Sequence, residues 1–278
     1  MNIEKKVLDT IVKYKLFGKK ERVFVALSGG KDSTSILYIL KKLGYNVEGL
    51  MIDLHLGEWS KIHLRNMEEF CSSLKIPFHV VDLKKELGQG ICFIKAVLKK
   101  KKNLTGCTVC GIIKRWILNK HSKKLGASVL VTGHNLDDEV QNVLMNFLKG
   151  NIMLGANSAP STGVKQSGFV QRVKPLFFIP EDEIRKYSLS KKFKINYDKC
   201  PCAFETYRTD TRAWLKVLDL SAKQKLKIVN NFQKVAPKLR SRRVAEGFEI
   251  KKCSVCGEPA TGIVCNACKI FESFRDDS

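Results

Sequence analysis

The chain has 278 residues, 44% hydrophobic and 28% charged, with 7 Pro and 19 Gly; this excludes a disordered, collagen-like or low-complexity protein and leaves enough apolar material for a real core. Lys and Arg number 50 against 27 Asp and Glu, a formal net charge of +23, and a bias of that size draws polyanions, with nucleic acid the first expected partner. No apolar run approaches the ~20 residues of a membrane span, and the chain opens on an amphipathic pattern (Ile3, Val7, Leu8, Ile11, Val12) instead of a signal peptide's apolar stretch, so a cytoplasmic location is expected.

In chain order, residues 22–27 form a β-rich run that ends at Ser28-Gly29-Gly30, and 33–43 then carry apolar residues at helical spacing. Further strands are predicted over 47–54, 78–83 and 128–132, and helices over 59–74, 112–125 and 136–148. Repeated β-α units with almost wholly apolar strands imply an α/β fold. Its parallel sheet is covered on both faces, and ligands sit at the carboxyl ends of its strands. Residues 151–168, rich in Gly, Ser, Asn and Ala, read as a loop that is mobile or ordered by substrate. A last strand or strand pair is predicted over 170–178, a helix over 181–192, and one or two basic helices over 209–238. The basic run at 238–243 reads as a boundary before a short cysteine module.

Ser28-Gly29-Gly30-Lys31-Asp32-Ser33 stands between strand and helix, where backbone N–H groups and the positive end of a helix dipole hold anions. It is neither a Walker A loop nor a dinucleotide Gly-x-Gly-x-x-Gly. It resembles the signature of the PP-loop ATP pyrophosphatases, whose loop binds the pyrophosphate part of ATP, and the resemblance extends to Thr132-Gly133-His134-Asn135-Leu136-Asp137-Asp138-Glu139 after the fourth strand. The resemblance implies an adenine nucleotide alpha hydrolase-like fold. It also implies an ATP site built from Ala26, Leu27, Ser28, Gly29, Gly30, Asp32, Ser33, Ile52, Lys114, Gly133 and Asp138, with Asp138 helping to hold Mg-ATP and Asp32 supporting the loop or the metal.

The ten cysteines include two kinds of Cys-x-x-Cys. In a reducing compartment such spacing argues for metal or redox sites over a disulfide framework. Cys107-Thr108-Val109-Cys110 precedes a helix carrying Lys114 and Arg115, and Cys200-Pro201-Cys202 follows much later; a helix N-terminus and neighbouring cations favour thiolates. Cys71 and Cys92, among apolar neighbours, read as buried cysteines without a role. The pattern is similar to the TtcA/TtuA group of tRNA 2-thiolation enzymes, in which the cysteines matching Cys107, Cys110 and Cys200 bind an iron-sulfur cluster, [4Fe-4S] in preference to [3Fe-4S]. Three protein ligands leave one iron open to an exogenous sulfur; the same thiols could instead carry a persulfide. Cys202 departs from the group, which has an aromatic residue there: as a fourth iron ligand it closes the cluster, as a spare thiol it leaves it open. Cys253, Cys256, Cys265 and Cys268 suit tetrahedral structural zinc in a module too small to fold on a core alone. The group usually has a second, N-terminal finger, whereas residues 1–21 contain no cysteine.

The expected organisation is an N-terminal helix (1–20), a PP-loop domain (21–200), a basic helical region for tRNA (201–247), and a zinc finger and tail (248–278). The resemblance implies a tRNA uridine 2-sulfurtransferase: Mg-ATP adenylates uridine O2, and sulfur then displaces AMP. Cys107, Cys110, Cys200 and Asp32 are the expected catalytic residues; Arg208, Arg212, Lys216, Arg240, Arg242 and Arg243 are candidates for phosphate-backbone contacts. The resemblance favours wobble position 34 over position 54 of the T loop. It also implies a homodimer and leaves open free sulfide or a ubiquitin-like thiocarboxylate carrier as donor. A PP-loop amide ligase using AMP activation without sulfur, and a non-catalytic zinc-containing RNA-binding protein, are the rival readings.

Overall fold

The computed structural model describes residues 2–102, 106–162, 168–202, 207–247 and 249–275. Helix α1 (Ile3–Lys13) starts at Asn2, whose side chain accepts from the Glu4 amide, and buries Ile3, Val7 and Ile11. Strand β1 (Val23–Leu27) is buried along almost its whole length. It feeds through Ser28–Gly30 into α2 (Lys31–Lys42), which packs Ile36, Leu37, Ile39 and Leu40 into the same core. Strand β2 (Val47–Asp53), helix α3 (Glu58–Ser73) and strand β3 (Phe78–Asp82) follow as the alternation predicts.

Between β3 and the Cys-x-x-Cys helix the chain forms two helices that the sequence pattern does not announce, α4 (Leu83–Leu87), capped by the Asp82 side chain, and α5 (Ile91–Lys102). Helix α6 (Gly106–Lys124) begins six residues earlier than its apolar spacing suggests, so Cys110 lies inside the helix and not ahead of it. Strand β4 (Val129–Val131) and helix α7 (Leu136–Leu148) complete the predicted series. The segment read as a loop holds a short helix, α8 (Ile152–Gly155), and a two-residue strand, β5 (Ser161–Thr162), with 163–167 outside the described residues. The strand predicted over 170–178 shrinks to β6 (Gln171–Val173), because Pro175 removes a ladder donor and the chain turns there. Beyond it lie α9 (Glu181–Ser190), α10 (Tyr207–Val217) and α11 (Ala222–Ala245). Helix α11 runs unbroken through the basic stretch 238–243. Strands β7 (Lys251–Lys252) and β8 (Pro259–Ala260) and helix α12 (Asn266–Arg275) form the cysteine module. No helix among the described residues is long and apolar enough to cross a membrane.

The main sheet runs β3-β2-β1-β4-β6-β5, parallel except for the edge pair β5–β6. From β1 the chain moves one way to β2 and later returns on the other side to β4. This reversal of strand order opens a crevice outside the carboxyl ends of β1 and β4, the position where ligands bind in open α/β sheets. One apolar cluster, including Val7, Val25, Ile36 and Ile184, fills the α1, α2, α9 face; a second, including Phe24, Leu50, Ile94 and Ile113, fills the α5, α6 face.

At the opposite end of the sheet, Glu48 on β2 is 7% exposed and accepts hydrogen bonds from Arg22 Nη2 at 3.1 Å and His79 Nε2 at 2.6 Å. Burial alone would raise the Glu48 carboxyl; the Arg22 and His79 contacts outweigh it and hold the carboxyl below its ordinary value of 4.5. A depressed folded pKa contributes stability above about pH 4.5, which is lost as pH falls through the folded value. Glu48→Gln is therefore expected to flatten the acid limb of a stability–pH curve below pH 4.5. Glu48→Ala, which strands two partners, is expected to cost about 3 kcal/mol in urea unfolding at pH 7.

Candidate active site

The loop after β1 is tied into shape by its own hydroxyls. Ser28 N donates to Ser33 Oγ at 3.2 Å, Ser33 Oγ donates to Gly30 O at 3.1 Å, and Thr34 Oγ1 donates to the same carbonyl at 3.0 Å. Gly30 caps α2 without a side-chain bond to its first amides, so those N–H groups face the crevice as an anion site. Gly29 has φ +75°, and a Cβ there would lie 2.2 Å from Nδ1 of His63 on α3. His63 is buried against Trp59, ring centroids 4.0 Å apart, and burial pushes its imidazole pKa down.

The second predicted motif locks onto the first. Asn135 and Asp138 form a capping box at the start of α7, and Asn135 Nδ2 donates to Asp32 Oδ1 at 3.2 Å. A Cβ on Gly133 would stand 2.9 Å from Ser33 N and 3.0 Å from Asp32 C, so the two loops meet backbone to backbone. Lys31 Nζ bridges Asp32 Oδ2 at 2.9 Å and Glu181 Oε1 at 2.7 Å. Burial, joined by the Asp138 and Glu181 charges, raises the Asp32 pKa despite Lys31. A group of carboxylates held this way is a place for a divalent cation beside phosphates. Glu181 and His63 are residues here that the sequence reading omits, and Lys31, quoted there within the loop motif, has no individual role assigned. Glu181 lies far along the chain in a segment whose only sequence signal is that of a helix start, and His63 reads as one polar residue among many on an amphipathic helix.

At the ends of β1 and β2 a cavity of about 140 Å³ is lined by Ala26, Leu27, Ser28, Ile52, Trp59 and Lys114, among others. Five of the expected ATP-site residues thus share one wall, with Lys114 reaching it from α6. Cys110, one turn before Lys114 on that helix, and Cys200 are half-buried free thiols packed against the same apolar cluster. Arg115, five residues further along α6, interacts electrostatically with Cys110. The side chain of Cys107 lies outside the described residues, while its backbone opens α6 three residues before Cys110. Cys202 is bonded to Cys92 in a disulfide. The expectation that Cys92 is buried and without a role is thereby corrected: it sits exposed on α5, whose unpredicted turn brings it across to the segment that follows Cys200.

The four C-terminal cysteines place their sulfurs within 4.8 Å of one another, with Cys256 and Cys265 Sγ 3.7 Å apart. Tetrahedral Zn–S bonds of about 2.3 Å put sulfurs about 3.8 Å apart, so the donor set fits zinc. Backbone amides of Cys265 and Cys268 donate to Cys253 and Cys265 Sγ at 3.2 and 3.4 Å.

The expected RNA-contacting arginines divide. Arg208 donates to Asp138 Oδ1 at 3.3 Å and Arg212 pairs with Glu181 at 2.5 Å, which places both over the crevice. Arg240 Nη1 holds the Ala156 carbonyl at 2.7 Å, and Arg242 pairs with Glu246 along α11. The Arg243 side chain is outside the described residues.

A family model described as a PP-loop domain matches residues 1–212. The chain is 36% identical over 269 residues to tRNA-5-methyluridine(54) 2-sulfurtransferase of Pyrococcus horikoshii, covering 96% of this chain and 84% of that one. It is 32% identical over 282 residues to cytoplasmic tRNA 2-thiolation protein 1 of Caenorhabditis elegans, covering 99% and 73%. Among solved structures it resembles the U34-tRNA thiolase NcsA from Methanococcus maripaludis with its [4Fe-4S] cluster, at a TM-score of 0.78 and 26% identity over 99% of this chain and 86% of that one.

A methyl group at Gly133 would press on backbone atoms of the phosphate loop. Gly133→Ala is expected to cost about 1–3 kcal/mol in stability and to weaken ATP binding roughly tenfold, equivalent to ~1.4 kcal/mol, measured by calorimetry.

Proposed function

The chain belongs to the PP-loop family and, within it, to the tRNA 2-sulfurtransferases, and we propose that it converts the wobble uridine at position 34 to 2-thiouridine with ATP. The observation that carries the reading is the double duty of α6: Lys114 lines the cavity at the ends of β1 and β2, and Cys110 stands one turn before it on the same helix, packed with Cys200 against one apolar cluster. An activating nucleotide and a sulfur-handling thiol site are thus held on one rigid element, which an amide ligase has no use for.

The uridine O2 is a poor leaving group, so it is first made a good one. O2 attacks the α-phosphorus of ATP, the bond to the bridging oxygen breaks, pyrophosphate leaves and the N3 proton passes to water. Sulfur then bonds to C2, the C2–O2 bond breaks, and AMP departs carrying that oxygen. The α2 N-terminus and the Ser28–Ser33 loop hold the phosphates and stabilise the departing pyrophosphate. Ala26, Leu27 and Ile52 enclose the adenosine side, and Lys114 supplies positive charge to the phosphates. Asp32 and Asp138, oriented by Lys31 and Arg208, would hold Mg2+, which would supply charge neutralisation to the phosphates. Cys107, Cys110 and Cys200 would hold a [4Fe-4S] cluster, which would supply a thiophilic metal to the sulfur donor. Cys202, bonded to Cys92, is not counted among these ligands. Zinc in the Cys253, Cys256, Cys265 and Cys268 site ties the C-terminal module together. The excess positive charge suits a tRNA partner, and the absence of a spanning helix among the described residues fits work in the cytoplasm. The sulfur donor is either sulfide or a thiocarboxylated carrier protein, and the enzyme works as a homodimer.

A second target has one specific point in its favour, the Pyrococcus relative named for position 54. Nucleoside analysis of tRNA from cells with and without the gene separates the two: loss of 2-thiouridine at position 34 supports the proposal, and loss of a thiolated base at position 54 with position 34 intact overturns it.

Protein purified without oxygen is expected to hold about four irons and about one zinc per chain. Cys110→Ala and Cys200→Ala are expected to lose the iron and keep the zinc. Cys202→Ser is expected to retain both, and loss of iron there would place Cys202 among the cluster ligands.

A further inference from the structure

A cavity of about 300 Å³ lies apart from the ATP-site cavity, between α6, the segment entering β6 and the cysteine module. Its walls include Arg115 and Trp116 on α6, Phe169 and Arg172 at β6, and Pro259 and Asn266 of the module. Arg115 and Arg172 come from separate elements, yet the surrounding protein strips water from both and the Arg115 charge further lowers the Arg172 pKa. Arg208 acts on Arg115 in the same sense. The carboxylate in the wall, Glu258, is already engaged by Asn119 and, at 3.5 Å, by Lys123. The Trp116 indole Nε1 is buried without a hydrogen-bond partner among the described residues. Paired guanidinium groups beside aromatic faces are the chemistry that receives unstacked nucleotides of single-stranded RNA. The volume sits at the small end of ligand cavities, room for one nucleotide and not for a base pair.

We propose that this cavity receives one unpaired nucleotide of the RNA substrate near the target uridine, its phosphate between Arg115 and Arg172 and its base against Phe169 and Trp116. The inference rests on the sulfurtransferase reading and assigns the cysteine module a direct part in substrate recognition. Since α6 carries Arg115 immediately after Lys114 and five residues after Cys110, a nucleotide seated here anchors the RNA strand one helical turn from the thiols.

The test measures binding of a fluorescent tRNA transcript to the full, metal-loaded chain over a series of salt concentrations. Wild type is compared with Arg172→Ala, Arg172→Lys and Phe169→Ala, with zinc content and ATP affinity read in parallel. Expected for Arg172→Ala is a roughly tenfold weaker Kd and a salt slope reduced by about one, with zinc and ATP affinity unchanged. Arg172→Lys recovers the slope but only part of the affinity, because an ammonium lacks the guanidinium fork. Phe169→Ala, which leaves the charges alone, weakens binding of a single-stranded oligonucleotide severalfold with the salt slope intact. If both alanine variants bind tRNA as wild type does, the cavity assignment is overturned and the sulfurtransferase reading stands. If wild type itself fails to bind tRNA, the sulfurtransferase reading falls and takes this inference with it.

Discussion

The 2.9 Å that would separate a Gly133 Cβ from the Ser33 amide measures how closely two loops from different parts of the chain must meet. They can do so only because β1 and β4 are hydrogen-bonded neighbours running in the same direction. Side by side, the strands deliver Ser28–Gly30 and Thr132–Asp138 to the same end of the sheet, and the missing side chain lets the backbones touch. The Asn135–Asp32 bond, the uncapped first amides of α2 and the Lys31 bridge to Glu181 all presuppose that contact. A phosphate site made mostly of backbone N–H groups has no flexible side chain to absorb an error in loop placement, so the fit must be supplied by the fold.

Helix α6 carries that precision sideways. Its buried face, Val109, Ile113 and Ile117, is fixed in the cluster that also holds Phe24 and Leu50. The remaining faces present Lys114 toward the crevice and Arg115, Trp116 and Asn119 toward the cysteine module. Trp116 packs edge-on to Phe271 at 5.0 Å, and Ile112 joins the cysteine cluster. The C-terminal module is therefore seated on the same element that holds the thiols.

The α/β alternation, both loop motifs and the four-cysteine module were legible in the sequence because each is local: periodicity, glycine spacing or paired cysteines within a few residues. The region from Leu83 to Lys102 was not, since α4 is a single capped turn and the helical period of α5 is blurred by its run of lysines. The missed site residues are non-local in a stronger sense. Glu181 acquires meaning only once Lys31, 150 residues earlier, is laid beside it, and the Cys92–Cys202 bond spans 110 residues that no spacing rule connects. Composition placed positive charge on the chain but could not say that Arg208 and Arg212 are spent on Asp138 and Glu181.

The neighbours of β1 also impose an order in time. Val23 pairs with Val47 on one side and with Val129 on the other, while the flanking Arg22 and Ser128 are 106 residues apart. A ribosome adding 5–20 residues per second needs roughly ten seconds to make that stretch. Throughout it the central strand of the sheet can have β2 beside it and nothing on its other edge. A nascent chain with so apolar an open edge is a natural client for chaperones, and the nucleotide site, which needs both edges closed, is among the last features of the PP-loop region to exist.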